Sequence, residues 1–138
     1  MFEHTTKIRV RYSETDQMRY VYYGQYAAYF EVGRVEALRS LGIRYADLED
    51  EHGVLMPVMN MQVRYLRAAE YDELLTQKTS ILKLPGKDIS FINEIYKETG
   101  KLAVSARITL CFVDAESRRR IEVPDFVTKA LKQYFEET

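Results

Sequence analysis

The segment YYGQYAAYFEVGRVEALRSLG, residues 22–42, carries the strongest periodicity in the chain. Tyr26, Tyr29, Phe30, Gly33, Ala37, Leu38 and Leu41 recur at spacings of three and four, which predicts a helix from about Gly24 to Leu41. Arg39 suits the negative C-terminal end and Gly42 supplies a left-handed stop. At 1.5 Å per residue the helix would be roughly 27 Å long, enough to span a small sheet. Aromatic or small residues lie on more than one of its sides, so several strands must curl around it.

Those strands are legible on both sides of the helix. Residues 6–12 alternate Ile8, Val10 and Tyr12 with Lys7, Arg9 and Arg11, the period of a half-buried strand. From residue 56 onward the period again becomes two, with Met59, Met61, Val63 and Tyr65 set against Asn60, Gln62 and Arg64. Further strands are predicted at 74–84, 89–97 and 102–112, separated by Pro85-Gly86 and by the hairpin turn Glu98-Thr99-Gly100-Lys101. Pro124, Asp125 and the apolar series Phe126, Val127, Ala130, Leu131 and Tyr134 read as a short C-terminal helix. The expected class is α+β: a five-stranded antiparallel sheet wrapped around one long helix, residues 1–138 forming one domain. Such a sheet has open edges, and pairing them in a dimer is the economical remedy.

Composition narrows the partners. The chain is 46% hydrophobic and 30% charged, with 20 Lys and Arg against 21 Asp and Glu, a net charge of -1. Nothing global therefore draws it to nucleic acid or an anionic membrane surface. No apolar run approaches the 18 or so residues of a membrane span. Cys111 has no second cysteine to pair with, and MFEHTTKIRV lacks an apolar signal core, so a cytoplasmic protein is expected. His4 and His52 stand apart without a ligand constellation, so no metal and no cofactor is expected.

The chemistry-bearing stretch is Tyr12-Ser13-Glu14-Thr15-Asp16-Gln17-Met18-Arg19-Tyr20-Val21-Tyr22-Tyr23-Gly24-Gln25-Tyr26. Asp16 lies in a polar loop seven residues before Tyr23, where a carboxylate can face the unpaired N–H groups and partial positive charge of a helix start. The amides of Tyr23 and Gly24 are then candidates to polarise the carbonyl in an acyl transfer, a donor type worth about 3–4 kcal/mol to a transition state. An accessible aspartate is ionised at neutral pH and can attack the carbonyl or activate water without a neighbouring base. The plainer reading makes Asp16 a loop or capping carboxylate.

This stretch resembles the hot-dog-fold acyl-CoA thioesterases, in the 4-hydroxybenzoyl-CoA thioesterase-like branch that includes the Tol-Pal-associated enzymes. Glu14-Thr15-Asp16, Val21-Tyr22, Tyr26, Phe30-Glu31 and Arg34 carry the likeness. It continues in Val63-Arg64-Tyr65-Leu66-Arg67, Tyr71-Asp72-Glu73-Leu74-Leu75, Phe112-Val113-Asp114 and Ile121-Glu122-Val123-Pro124. Many members have Gly at or beside the positions of Met18 and Arg19, and the Tol-Pal branch has His at the position of Tyr23. The resemblance implies an acyl-CoA substrate, catalysis by Asp16 with the helix-start amide at Tyr23, and a homodimer or homotetramer.

It also implies a local cationic site for the phosphates of CoA, for which Lys83 and Lys87, flanking Leu84-Pro85-Gly86, are the candidates; both could equally be solvated turn residues. Tyr22 and Tyr26 are candidate pocket residues, although aromatics at helical spacing are mostly core or interface. Glu31 is a second candidate carboxylate, because another hot-dog branch carries its acid on the central helix; an i, i+3 pair with Arg34 is the plainer reading. Arg118, Arg119 and Arg120 read as a solvated turn and Cys111 as a packing residue. Two other functions fit the same residues: hydrolysis of acyl groups from a carrier protein, and a non-catalytic module that binds acyl thioesters. A hot-dog dehydratase fits poorly, because it needs a His in a suitable motif.

Overall fold

A computed structural model describes residues 1–136. In chain order the elements are β1 (Phe2–Arg9), α1 (Tyr26–Ser40), α2 (Tyr45–Asp50), β2 (Val54–Leu55), β3 (Val58–Tyr65), β4 (Leu74–Ile81), β5 (Asp88–Tyr96), β6 (Leu102–Asp114), β7 (Arg120–Ile121) and α3 (Asp125–Lys132). The strands form one seven-stranded antiparallel sheet. Its long strands run β1-β4-β5-β6-β3, and the two-residue strands β2 and β7 pair with the far end of β6. This is the α+β arrangement that the sequence implies, with two small strands added.

The inner face of the sheet follows from register. Ile8 pairs with Leu75, Phe2 with Ile81, Phe91 with Ile108 and Ile95 with Val104, all on one side. Against them α1 sets Tyr26, Tyr29, Phe30, Ala37 and Leu38, all buried. Each large apolar side chain so buried contributes about 1.5–3 kcal/mol. Gly33 is needed for closeness: a Cβ there would lie 2.6 Å from Thr79 Oγ1 and 2.7 Å from the Gln77 amide carbon. That approach lets a buried polar set sit beneath the helix, with Gln77 Nε2 donating to the Tyr29 carbonyl at 2.8 Å and Asn93 Nδ2 to Gln77 Oε1 at 2.9 Å. Helix α1 closes as expected, with Gly42 at φ 84° and the Ile43 N–H returning to the Leu38 carbonyl.

Several expectations are corrected. The first strand is Phe2–Arg9 rather than 6–12, because its ladder with β4 ends at Arg9 opposite Leu74. The chain then enters a 3-10 turn at Tyr12–Glu14, leaving Tyr12 79% exposed instead of on the buried face. The helix opens with a 3-10 turn at Tyr23–Gln25 and becomes α-helical only at Tyr26. The strand expected to reach residue 84 stops at Ile81, so Leu82 and Leu84 are exposed. On β3 the expected apolar face is open: Met59, Met61 and Tyr65 are 48%, 44% and 52% exposed. The reason is that α1 packs chiefly on β1, β4 and β5 and leaves β3 at the edge.

Candidate active site

The site begins where β1 ends. Thr15 bridges Val21, and inside that small hairpin the Asp16 N–H donates to the Tyr20 carbonyl at 2.9 Å while the Arg19 N–H returns to the Asp16 carbonyl at 2.9 Å. Asp16 Oδ1 accepts the Met18 N–H at 2.9 Å, which orients the carboxyl group and leaves its second oxygen outside that bond. The turn closes on Arg19 at φ 68°, a left-handed conformation that costs an L-residue about 1–2 kcal/mol.

The helix start faces this loop. The Tyr22 N–H donates to the Glu14 carbonyl, the Gln25 N–H to the Tyr22 carbonyl and the Tyr26 N–H to the Tyr23 carbonyl. Among the described residues the amides of Tyr23 and Gly24 meet no acceptor, as the opening amides of a helix do. Asp16, Tyr23 and Tyr26 together border a depression of about 280 Å³, shared with Tyr20, Tyr65, Leu66 and Arg67. Tyr22 stands beside it, its ring 4.7 Å from that of Tyr23. Tyr65 closes the other wall, 5.7 Å from the Tyr26 ring, and burial pushes the Tyr26 hydroxyl up to about 12, so it stays protonated. On the opposite side of Asp16 a second depression of about 680 Å³ is lined by Tyr12, Thr15, Gln17, Arg19 and Tyr71. Asp16 borders both.

Two carboxylates fix this arrangement, Glu14 buried and Glu73 half-buried. Glu14, 5% exposed, accepts the Arg11 N–H at 2.8 Å, Arg11 Nη2 at 2.9 Å and the Tyr29 hydroxyl at 2.9 Å. These donors hold its carboxyl below the usual carboxylate range although burial opposes ionisation. Tyr29, buried against that carboxylate, is pushed far up. From the other side Glu73 accepts Lys97 Nζ at 2.9 Å and the amides of Glu70 and Glu98 at 3.1 and 3.0 Å. It pins the segment whose Ala69 carbonyl receives the Val21 N–H at 2.8 Å and whose Glu70 bridges Tyr20.

Other candidates lie elsewhere. Lys83 and Lys87 line one cleft of about 340 Å³ with Arg107, separate from the Asp16 depressions. Lys87 also borders Arg120. Glu31 is on the exposed side of α1, while Arg34 is buried, and no ion pair joins them. His4 is half-buried on the inner side of β1, and His52 stacks on Phe126 at 4.3 Å. Among the described residues no group of three His, Cys, Asp or Glu side chains is arranged to hold a metal ion. Cys111 is buried, as a packing residue would be.

Sequence reasoning overlooked Glu14, Glu73 and the wall formed by Tyr65, Leu66 and Arg67. All five were inside stretches that carry the family likeness, so the signal was present but not assigned a role.

Residues 10–131 match the thioesterase-like superfamily. The chain belongs to this superfamily. Its class, a thioester hydrolase on the hot-dog fold, is the one the sequence resembles. YneP of Bacillus subtilis is 36% identical over 116 residues, 84% of this chain and 83% of its own. The acyl-CoA thioesterase YbgC of Haemophilus influenzae is 29% identical over 123 residues, 89% of this chain and 90% of its own. The DHNA-CoA thioesterase of Staphylococcus aureus superposes with a TM-score of 0.87 at 31% identity, covering 100% of this chain and 98% of that one.

Proposed function

We propose that this chain hydrolyses acyl-CoA thioesters to a free acid and CoA, with Asp16 as the catalytic carboxylate and the Tyr23 and Gly24 amides as the carbonyl-polarising donors. The observation that carries this reading is that Asp16, with its carboxylate oriented by the Met18 N–H, and Tyr23, whose amide meets no acceptor, border one depression, with the acceptor-free Gly24 amide next along the helix-opening turn. As nucleophile, Asp16 would add to the carbonyl carbon and expel CoA thiolate, leaving an anhydride that water opens. As general base it would take a proton from the attacking water, and the thiolate would leave with that proton. In both routes negative charge grows on the carbonyl oxygen, where the helix-start amides and the α1 dipole act most strongly. Tyr22 and Tyr26 would border the bound thioester.

Lys83 and Lys87 fit this reading in a dimer. One open edge of the sheet is β3, the other being β1, and the apolar residues of β3 are the ones α1 leaves uncovered. Antiparallel pairing of two β3 edges about a two-fold axis sets the Tyr65 end of one copy beside the Val58 end of the other. Val58 pairs with Leu110 and Leu110 with Ile89, two residues from Lys87. The lysine cleft of each copy would thus approach the Asp16 depression of its partner, with the phosphates of CoA between them. We further propose that the chain works as one domain in the cytoplasm, as a homodimer or a pair of dimers. No helix among the described residues is long and apolar enough to cross a membrane.

The test is release of free thiol from a panel of short aliphatic, long aliphatic and hydroxyaryl acyl-CoAs and from the same acyl groups on a carrier protein. Turnover of at least one acyl-CoA is expected. Turnover of carrier-protein substrates alone would move the reading to that substrate class, and binding without turnover would make the chain a thioester-binding module.

A further inference from the structure

Glu14 lies between the two halves of the site without bordering the depression. It precedes Asp16 by two residues, and its main-chain carbonyl receives the Tyr22 N–H at 2.9 Å, one peptide ahead of the Tyr23 amide. Its carboxylate collects donors from three segments: Arg11 at the end of β1, Gln25 in the helix-opening turn through Nε2 at 3.4 Å, and Tyr29 one turn into α1 at 2.9 Å. Arg11 is 76% exposed in its side chain, so water competes for that partner. The buried partner is Tyr29, and Tyr29 is itself fixed, because its carbonyl accepts Gln77 Nε2 at 2.8 Å and Gln77 accepts Asn93 Nδ2 at 2.9 Å. A continuous run of hydrogen bonds therefore leads from the interior of the sheet through α1 to the loop that carries Asp16.

From this we infer that Glu14 is a positioning residue, whose bond to Tyr29 keeps the Asp16 carboxylate in register with the Tyr23 and Gly24 amides. The inference rests on the thioesterase reading above and assigns Glu14 no contact with substrate. Catalysis tolerates little slack here: a misplacement of about 1 Å between reacting groups costs about 10²-fold in rate. A residue that only added stability would lower the melting temperature and leave the turnover of folded enzyme alone.

The experiment is steady-state kinetics on an acyl-CoA turned over by the unmodified protein, at a temperature well below the melting point of each variant. Glu14→Gln places an NH₂ group among the Arg11 donors, whereas Tyr29→Phe removes one hydroxyl and keeps the ring. Each should lower kcat about 10- to 100-fold with KM within about twofold. The double variant should be no slower than the slower single one, as expected for two residues acting through one bond. If Glu14→Gln does not fold, Tyr29→Phe decides alone. A Tyr29→Phe protein with unchanged kcat, or one in which only KM rises, would overturn the positioning role while thioester hydrolysis stands. An unmodified protein inactive on every thioester would overturn both.

Discussion

The Asp16 depression and the Lys83–Lys87 cleft are built in different ways. Two stretches distant in sequence meet around Asp16: residues 15–23, which form the hairpin and the helix start, and the run from Tyr65 to Glu73. Carboxylates pin that assembly on both sides, buried Glu14 toward α1 and half-buried Glu73 toward Lys97. The lysine cleft is mostly one local turn, residues 82–90, with Arg107 facing it from β6. Bond-breaking needs reacting groups held to a fraction of an ångström, and this requires a rigid frame. Phosphate recognition by lysine needs only charge on a flexible stem, so a turn is enough. One chain therefore positions the reacting groups of the first region, while on the dimer reading the second would gain its role, and the bound thioester its remaining wall, only beside another copy.

The most severe way to break the first region is Asp16→Asn. The amide keeps the shape and can still accept the Met18 N–H, so the fold should survive. Loss of the carboxylate should lower kcat about 10²- to 10⁴-fold, the range for removing an acid–base group. Circular dichroism together with thiol-release kinetics checks both halves of that expectation. An active Asp16→Asn enzyme would transfer the role to another carboxylate, with Glu31 the next to test.

The link between the regions is broken by Met61→Lys. Met61 is 44% exposed on the open edge, and a two-fold interface would bring each introduced charge close to its symmetry mate. Like charges set together cost several kcal/mol, so dimer affinity should fall at least about 10²-fold. Light scattering at micromolar concentration should give a dimer or tetramer for the parent protein and a monomer for the variant. The monomer should lose activity. A monomeric parent with full activity would remove the shared-site argument altogether.

Much of this contrast was legible beforehand, and the parts that were not have physical reasons. Helix α1 was readable because its apolar positions repeat over four turns, and the Asp16-to-Tyr23 spacing because it is local. The 3-10 turn that exposes Tyr12 was not, since it arises where the ladder to β4 ends, a tertiary fact. Met59, Met61 and Tyr65 alternate as a buried face should, yet periodicity shows only that a face is apolar and never which molecule covers it. Helix α2 and strands β2 and β7 span six, two and two residues, too short to carry a period. Glu14 reads as one more loop acid until its three sets of donors are seen together.

A gentler break concerns the second region alone. Lys83→Ala with Lys87→Ala should raise KM for acyl-CoA about 5- to 30-fold, because two exposed ionic contacts contribute about 0.5–1 kcal/mol each. Contacts made equally to ground and transition states leave kcat alone. An acyl-pantetheine, which lacks the nucleotide phosphates, should show little change, and raised salt should narrow the difference between enzyme and variant. Equal effects on both substrates would assign the cleft to something other than CoA.

The smallest effect sharpens the view of the Asp16 loop as a frame held under constraint. Arg19 stands at φ 68°, and Arg19→Gly removes a steric cost of about 1–2 kcal/mol while adding about 0.5–1 kcal/mol of chain entropy to be lost on folding. The balance favours the variant by about 0.5 kcal/mol, or about 2 °C in Tm for a chain of this size. Arg19→Ala separates backbone from side chain, because it keeps the Cβ and its strain; it should give no rise. The Arg19 N–H that closes the turn onto the Asp16 carbonyl survives in both, so kcat should stay within about twofold. Differential scanning calorimetry on the three proteins reads the effect directly. A lower Tm for Arg19→Gly would mean that the left-handed turn gains more from the arginine side chain than it loses in backbone strain, and that the loop is held by more than its hydrogen bonds.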